Sequence, residues 1–170
     1  MKALIRLQLE TAALAGAWEH CDQIANHLAN LASFDRTDSF LYSNLLSTVL
    51  NELLEVVSAR HAARGKVECI FSREARRDRI EMRIPVDSET SAFYQRSVKA
   101  AGEADVADLY TRSLLGRETP EFALGFVELA ADYGARFSLP EPAGDSEICL
   151  RVEVELEDGG TAPAITARAP

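Results

Sequence analysis

A chain of 170 residues with 47% hydrophobic residues and six prolines fits one globular domain with a sizeable core. Its net charge of −9 argues against nucleic acid as a partner, because binding phosphate needs a basic stripe and an acidic surface repels the polyanion. No run approaches the roughly eighteen apolar residues of a membrane span, and Met1-Lys2-Ala3-Leu4-Ile5-Arg6 is broken by charge too early for a signal peptide, so the sequence predicts a cytoplasmic protein with no membrane partner.

In chain order, alternation of Leu4, Arg6 and Gln8 with Ile5, Leu7 and Leu9 predicts a strand over Ala3 to Leu9. Leu14, Trp18, Cys21, Ile24, Ala25, Leu28 and Leu31 then form the apolar stripe of a helix from Ala13 to Leu31. Asp35-Arg36-Thr37-Asp38-Ser39 is a polar break with capping candidates for a second, long helix, expected to stop near Gly65, where glycine accepts a left-handed backbone. Leu45, Leu46, Val49, Leu50, Leu53, Leu54 and Val57 give that helix one broad apolar face, with Asn51, Glu52, Glu55 and Ser58 towards the other.

Beyond Gly65 the period falls to two. Val67, Cys69 and Phe71 alternate with Glu68 and Ser72, and Ile80, Met82 and Ile84 alternate with Glu81 and Arg83, which predicts a hairpin. Its connection carries Arg73, Arg76, Arg77 and Arg79 interrupted by Glu74 and Asp78. It reads as a solvated turn, with docking of an acidic partner as the alternative. Residues 88 to 115 suit two short helices broken at Gly102, and Thr119-Pro120-Glu121 opens another that Gly134 closes. Ala135 to Leu139 and Ile148 to Leu156 read as the last strands, and 158–170, rich in Gly, Ala and Pro, as a disordered tail. This order predicts an α/β chain built as an α+β two-layer sandwich, with helices on one face of a mixed, mostly antiparallel sheet and the other face solvated or used for association.

Three cysteines, Cys21, Cys69 and Cys149, are odd in number and widely spaced, and suit small buried hydrophobes in a reducing compartment. His20 and Cys21 are neighbours and His27 lies two turns on, too far for one metal without a third element, so no metal site is expected. His61, near the second helix's end, is placed to meet terminal carbonyls. Trp18 reads as a core or interface anchor.

Asn51-Glu52-Leu53-Leu54-Glu55 in the long second helix resembles the N-box of the GHKL superfamily, the histidine-kinase-like ATPases, and most closely its small regulatory branch of SiaB-type and anti-sigma-factor-kinase-like proteins. Ala123-Leu124-Gly125-Phe126-Val127-Glu128-Leu129, followed by Asp132-Tyr133-Gly134-Ala135, is similar to that branch's late glycine motif and the Asp-Tyr-Gly segment leading into its strand. The resemblance covers about residues 1 to 156 and implies a Bergerat-like fold, with the domain drawn as 1–157.

In the active family, the resemblance implies, a glutamate at Glu52 handles the attacking group, and an asparagine four residues on, one turn along the same face, holds magnesium against the nucleotide phosphates. Val56 stands at that second position and offers no oxygen to a hard cation. Where catalytic members carry an Asp-x-Gly-x-Gly turn, this chain has Pro85-Val86-Asp87-Ser88-Glu89-Thr90-Ser91. Asp87 is left either as a mimic of the adenine contact or as a turn or helix cap. Gly125 survives from the late motif, for a ligand or for close helix packing, while Ala123 replaces its first glycine.

Asn51, Glu55, Asp87 and Gly125 are thus the expected remnants of a nucleotide site, and Glu52 is its catalytic residue only if activity persists. The resulting expectation is a bacterial signalling regulator that works by protein binding, without ATP or magnesium. Its partner would be an anti-sigma-antagonist-like domain, a phosphatase or a response-regulator module. The alternative is an active serine/threonine protein kinase using ATP and magnesium at a site rebuilt from Glu52 with Glu55, Asn51 or Asn44; a homodimer module is the third reading.

Overall fold

A computed structural model describes residues 2–14, 18–60, 65–74, 77–116, 120–140 and 146–156. The expected tail at 158–170, His61, Arg76 and Thr119 lie outside the described residues, as does the Trp18 side chain. Strand β1 (Lys2–Glu10) leads through α1 (Thr11–Leu14) into α2 (Trp18–Ala32) and the long α3 (Ser39–Arg60). The hairpin β2 (Lys66–Glu74) and β3 (Arg77–Pro85) follows, then α4 (Ser88–Ala101), α5 (Val106–Leu115), α6 (Leu124–Tyr133), β4 (Arg136–Ser138) and β5 (Glu147–Val154).

The five strands lie in the order β1-β2-β3-β5-β4, and each pairing is antiparallel. Register aligns the apolar parities: Leu7 stands opposite Cys69, Cys69 opposite Met82, and Met82 opposite Leu150, so one row of side chains crosses four strands and faces the helices. The opposite parity carries charge. Glu68 pairs with Arg6 and Arg83, Arg151 with Glu81, and Arg79 with Glu153, an ion-pair ladder that accounts for the alternation seen in the sequence.

In α3 the buried positions are Tyr42, Ser43, Leu46, Val49, Leu50, Leu53, Leu54 and Val57, close to the stripe read from spacing. In α2 the stripe is Cys21, Ala25, Leu28, Ala29 and Ala32, whereas Leu31, expected within it, is 56% exposed. The helical phase explains this: Ala32, one turn after Leu28, completes the inner face and turns Leu31 outward. Tyr94 of α4 lies 6.2 Å from Phe126 of α6, whose ring stacks at 4.6 Å on Phe137 of β4, joining both helices to the sheet's far edge. The three cysteines are free thiols, and burial pushes that of Cys69 up to about 12.

One boundary differs from expectation, while the end of α3 expected near Gly65 falls outside the described residues, which stop at Arg60 and resume at Gly65. Gly65 opens β2 with φ +142°, a Cβ there would stand 2.9 Å from Pro85 Cγ, and its carbonyl accepts from the Thr11 amide at 3.0 Å. Helix α6 starts at Leu124 rather than at Pro120, because the Ala123 amide is taken by the Ser97 hydroxyl at 2.8 Å and Ala123 itself keeps an extended backbone. Gly134 does close α6, at φ 63° and ψ 24°.

Candidate functional site

The polar positions of α3 divide between two flanks. Asn51 Nδ2 donates to Glu55 Oε1 at 2.6 Å, one turn along the helix. Asn51 Oδ1 is buried and has no hydrogen-bond partner among the described residues. Glu55 is close enough to α2 for its charge to add to the effect of burial in raising the Cys21 thiol.

Glu52 faces the other way, onto α6. A Cβ on Gly125 would lie 2.6 Å from Glu52 Oε2, so the first turn of α6 seats directly on this side chain. Burial, and then the charges of Glu128 and Glu55, lift the Glu52 carboxyl to about 6. Tyr110 of α5 completes the group. Burial, its hydrogen bond to Glu128 and the charges of Glu128, Asp132 and Glu52 push its hydroxyl up to about 12. Val56 packs against the hydrophobic core.

Asp87 is not part of this group. Its side chain caps α4, accepting from the Thr90 amide at 2.8 Å, which is the cap that its position before Ser88 suggested. It lines an open cleft of about 530 Å³ near the end of α3, together with Arg60, Phe93, Arg96, Pro120 and Glu121. The Arg60 guanidinium lies 3.8 Å over the Phe93 ring, and Arg96 Nε donates to the Glu121 carbonyl at 3.2 Å. Of the five residues singled out, the fold therefore brings Glu52 and Gly125 together, pairs Asn51 with Glu55, and sets Asp87 in the neighbouring cleft. Among the described residues no three His, Cys, Asp or Glu side chains converge as a cation site. No helix there is long and apolar enough to cross a membrane.

A second polar cluster corrects the reading of the basic hairpin. Arg73 is not solvated: its side chain is 9% exposed, and the guanidinium meets Asp78 at 2.7 Å, Tyr42 Oη at 2.5 Å and the Ala32 carbonyl at 2.9 Å. Asp78 is fully buried, accepts from Tyr42 Oη at 2.7 Å and pairs with Arg36 at 3.4 Å. Burial, with the Asp78 charge, holds the Tyr42 hydroxyl well above its ordinary range. The signal was present in the sequence: Arg73 shares parity with Cys69 and Phe71, and Asp78 with Ile80 and Met82, so both point inward. Arg77 and Arg79 fit the solvated reading better, pairing on the outer face with Glu155 and Glu153.

No protein-family model matches this chain, and no curated protein does. A solved structure does match. A chain of the SiaB-SiaC complex from Pseudomonas aeruginosa superimposes with a TM-score of 0.54 at 13% sequence identity, over 89% of each chain. At that identity the likeness is one of fold, and it extends across both the helical layer and the sheet.

Proposed function

We propose that this protein is a bacterial signalling regulator that acts by binding a protein partner through a degenerate histidine-kinase-like ATPase fold, with magnesium-ATP catalysis lost. The observation that carries the reading is the seating of Gly125 on Glu52, because α6 closes on the helix position that the family would need open to phosphates. Val56 adds to it: the residue aligned with the magnesium-holding asparagine is an apolar group, partly buried and packed against the core. The residues present therefore do not fit a magnesium nucleotide in the usual way. A fold that keeps its helices and sheet but not its ligand chemistry still offers shaped surfaces for docking. The neighbour in fold was solved as a complex of two proteins, which agrees with a partner-binding role. An anti-sigma-antagonist-like domain, a phosphatase or a response-regulator module is the kind of partner expected. Isothermal titration of ATP with magnesium tests the proposal: no saturable heat is expected, and micromolar magnesium-dependent binding overturns it.

One observation favours a second reading, an active ATP-dependent serine/threonine protein kinase. Asn51 and Glu55 are one turn apart and joined at 2.6 Å, with Asn51 Oδ1 free of a hydrogen-bond partner among the described residues, so α3 carries two neighbouring oxygens on the flank opposite Glu52 from which a cation site could be rebuilt. Phosphate transfer from labelled ATP to candidate partners, compared with Glu52→Ala, separates the readings. Labelling that the substitution leaves unchanged rules the kinase out.

A further inference from the structure

The largest departure from ordinary burial lies where α2 turns into α3. Phe34 is 95% exposed and Phe40 77%, with Leu31 at 56% and Leu41 at 37% beside them in the chain. Single exposed leucines are ordinary, but two phenylalanines and two leucines within residues 31–41 concentrate apolar surface on one helix–turn–helix.

This turn is also held unusually firmly. The Ser33 hydroxyl donates to the Asn30 carbonyl at 2.9 Å, the Arg36 amide to the Ser33 carbonyl at 2.9 Å, and the Leu41 amide to Asp38 Oδ1 at 2.9 Å. From beneath, Arg73 grips the Ala32 carbonyl at 2.9 Å and Asp35 at 2.7 Å, while Arg36 reaches down to Asp78. A buried ionic cluster is an expensive way to stabilise a core, and apolar residues of similar volume often do as well. What this cluster does is tie the Ala32 carbonyl and the Asp35, Arg36 and Tyr42 side chains to the hairpin, so the turn that carries the phenylalanines is in place before binding.

We infer that the α2–α3 turn is a docking surface for an amphipathic helix of a partner protein, apolar on one face and bordered by lysine or arginine. Phe34 and Phe40 serve as anchors, since a few aromatic side chains dominate the energetics of such contacts. Charge selects the occupant. Asp35, 70% exposed despite its pairing, and the exposed Asp38 flank the phenylalanines, and the chain carries −9 overall. A second copy would set the same carboxylates and the same net charge against themselves, whereas a basic partner is drawn to both. The inference rests on the protein-binding reading above and names the surface that would do the binding.

The test is fluorescence anisotropy with a fluorescein-labelled, helix-forming peptide of leucine and lysine in amphipathic register, without magnesium or nucleotide, so its failure leaves the ATP titration unaffected. Wild-type protein is expected to bind this peptide and to ignore the same peptide with glutamate for lysine. Phe34→Ser with Phe40→Ser, both at exposed positions, should weaken binding about tenfold or more with an unchanged circular dichroism spectrum. Unaltered affinity in the double variant, or equal binding of the glutamate peptide, overturns the inference. So does light scattering that shows a wild-type dimer made monomeric by the two serines, because the occupant would then be a second copy.

Discussion

Glu52 and Gly125 are in mutual steric conflict for any residue larger than glycine: a Cβ at Gly125 would stand 2.6 Å from Glu52 Oε2 and 3.7 Å from Glu52 Cβ. Alanine has the higher helix propensity by up to about 1 kcal/mol, but here it must displace a half-buried carboxylate. That oxygen is the far end of a flexible side chain, which can swing aside at a cost close to the propensity gain, so Gly125→Ala is expected to be nearly neutral in the wild-type background. In a Glu52→Ala background the obstacle is gone, and the same change should become stabilising by up to about 1 kcal/mol. Urea unfolding of the four proteins measures this, and a Gly125→Ala effect of the same size in both backgrounds would show that the two residues do not meet.

The same carboxyl makes stability depend on pH. Its folded value of about 6 lies above the ordinary 4.5, so folding favours the protonated form. Its contribution is fully present below about 4.5 and is lost as the pH rises through about 6. Glu52→Gln should thus be more stable than wild type by roughly 1 kcal/mol at pH 7.5, after allowance for solvent screening, and equal to it at pH 4. Thermal unfolding of both proteins at the two pH values checks this. A difference that does not change with pH would locate the effect in shape rather than charge.

What the sequence made legible follows from the range of the interactions involved. Helix α3 and the hairpin came through because periods of 3.6 and 2 are written locally, and the cap at Asp87 because its partner Thr90 is three residues away. Glu52 and Gly125 were each singled out by motif, yet their meeting depends on how α6 packs on α3, which no local pattern carries. The start of α6 was misplaced for the same reason, since the group that takes the Ala123 amide is Ser97, on another helix. Asp78 was misread although its parity pointed inward, because charge beside a turn usually means solvent and its partners Tyr42 and Arg36 come from a distant segment. The exposed Phe34 and Phe40 gave no sign, because an apolar residue in sequence reads as core.

Asp78 sets the stability of the α2–α3 end of the molecule. Removing it leaves Arg73 and Arg36, each 9% exposed at the side chain, without their shared carboxylate, and Tyr42 without its acceptor. Breaking a buried pair in this way costs about 3–5 kcal/mol, a large share of the roughly 5–15 kcal/mol that holds a domain folded. Asp78→Ala is expected to lower the urea midpoint accordingly. Arg77→Ala, whose partner Glu155 is 55% exposed, should change stability by about 1 kcal/mol or less. Equal effects of the two substitutions would contradict the burial assigned to Asp78.

Ser97 links α4 to the start of α6. Its hydroxyl is fully buried, donates to the Phe93 carbonyl at 2.8 Å and accepts from the Ala123 amide at 2.8 Å. Ala123 has no side-chain cap of its own to offer α6, so this hydroxyl is what satisfies an amide at the helix's beginning. Ser97→Ala leaves that buried N–H without a partner, which costs about 1–3 kcal/mol, whereas a surface serine-to-alanine change costs little. Because the lost bond holds the segment leading into α6, the loss should also loosen the seating of Gly125 on Glu52. Hydrogen exchange is expected to quicken at Ala123 to Phe126 in the Ser97→Ala protein while α3 stays protected. Unchanged exchange there, together with a loss of stability, would mean that Ser97 contributes through packing alone.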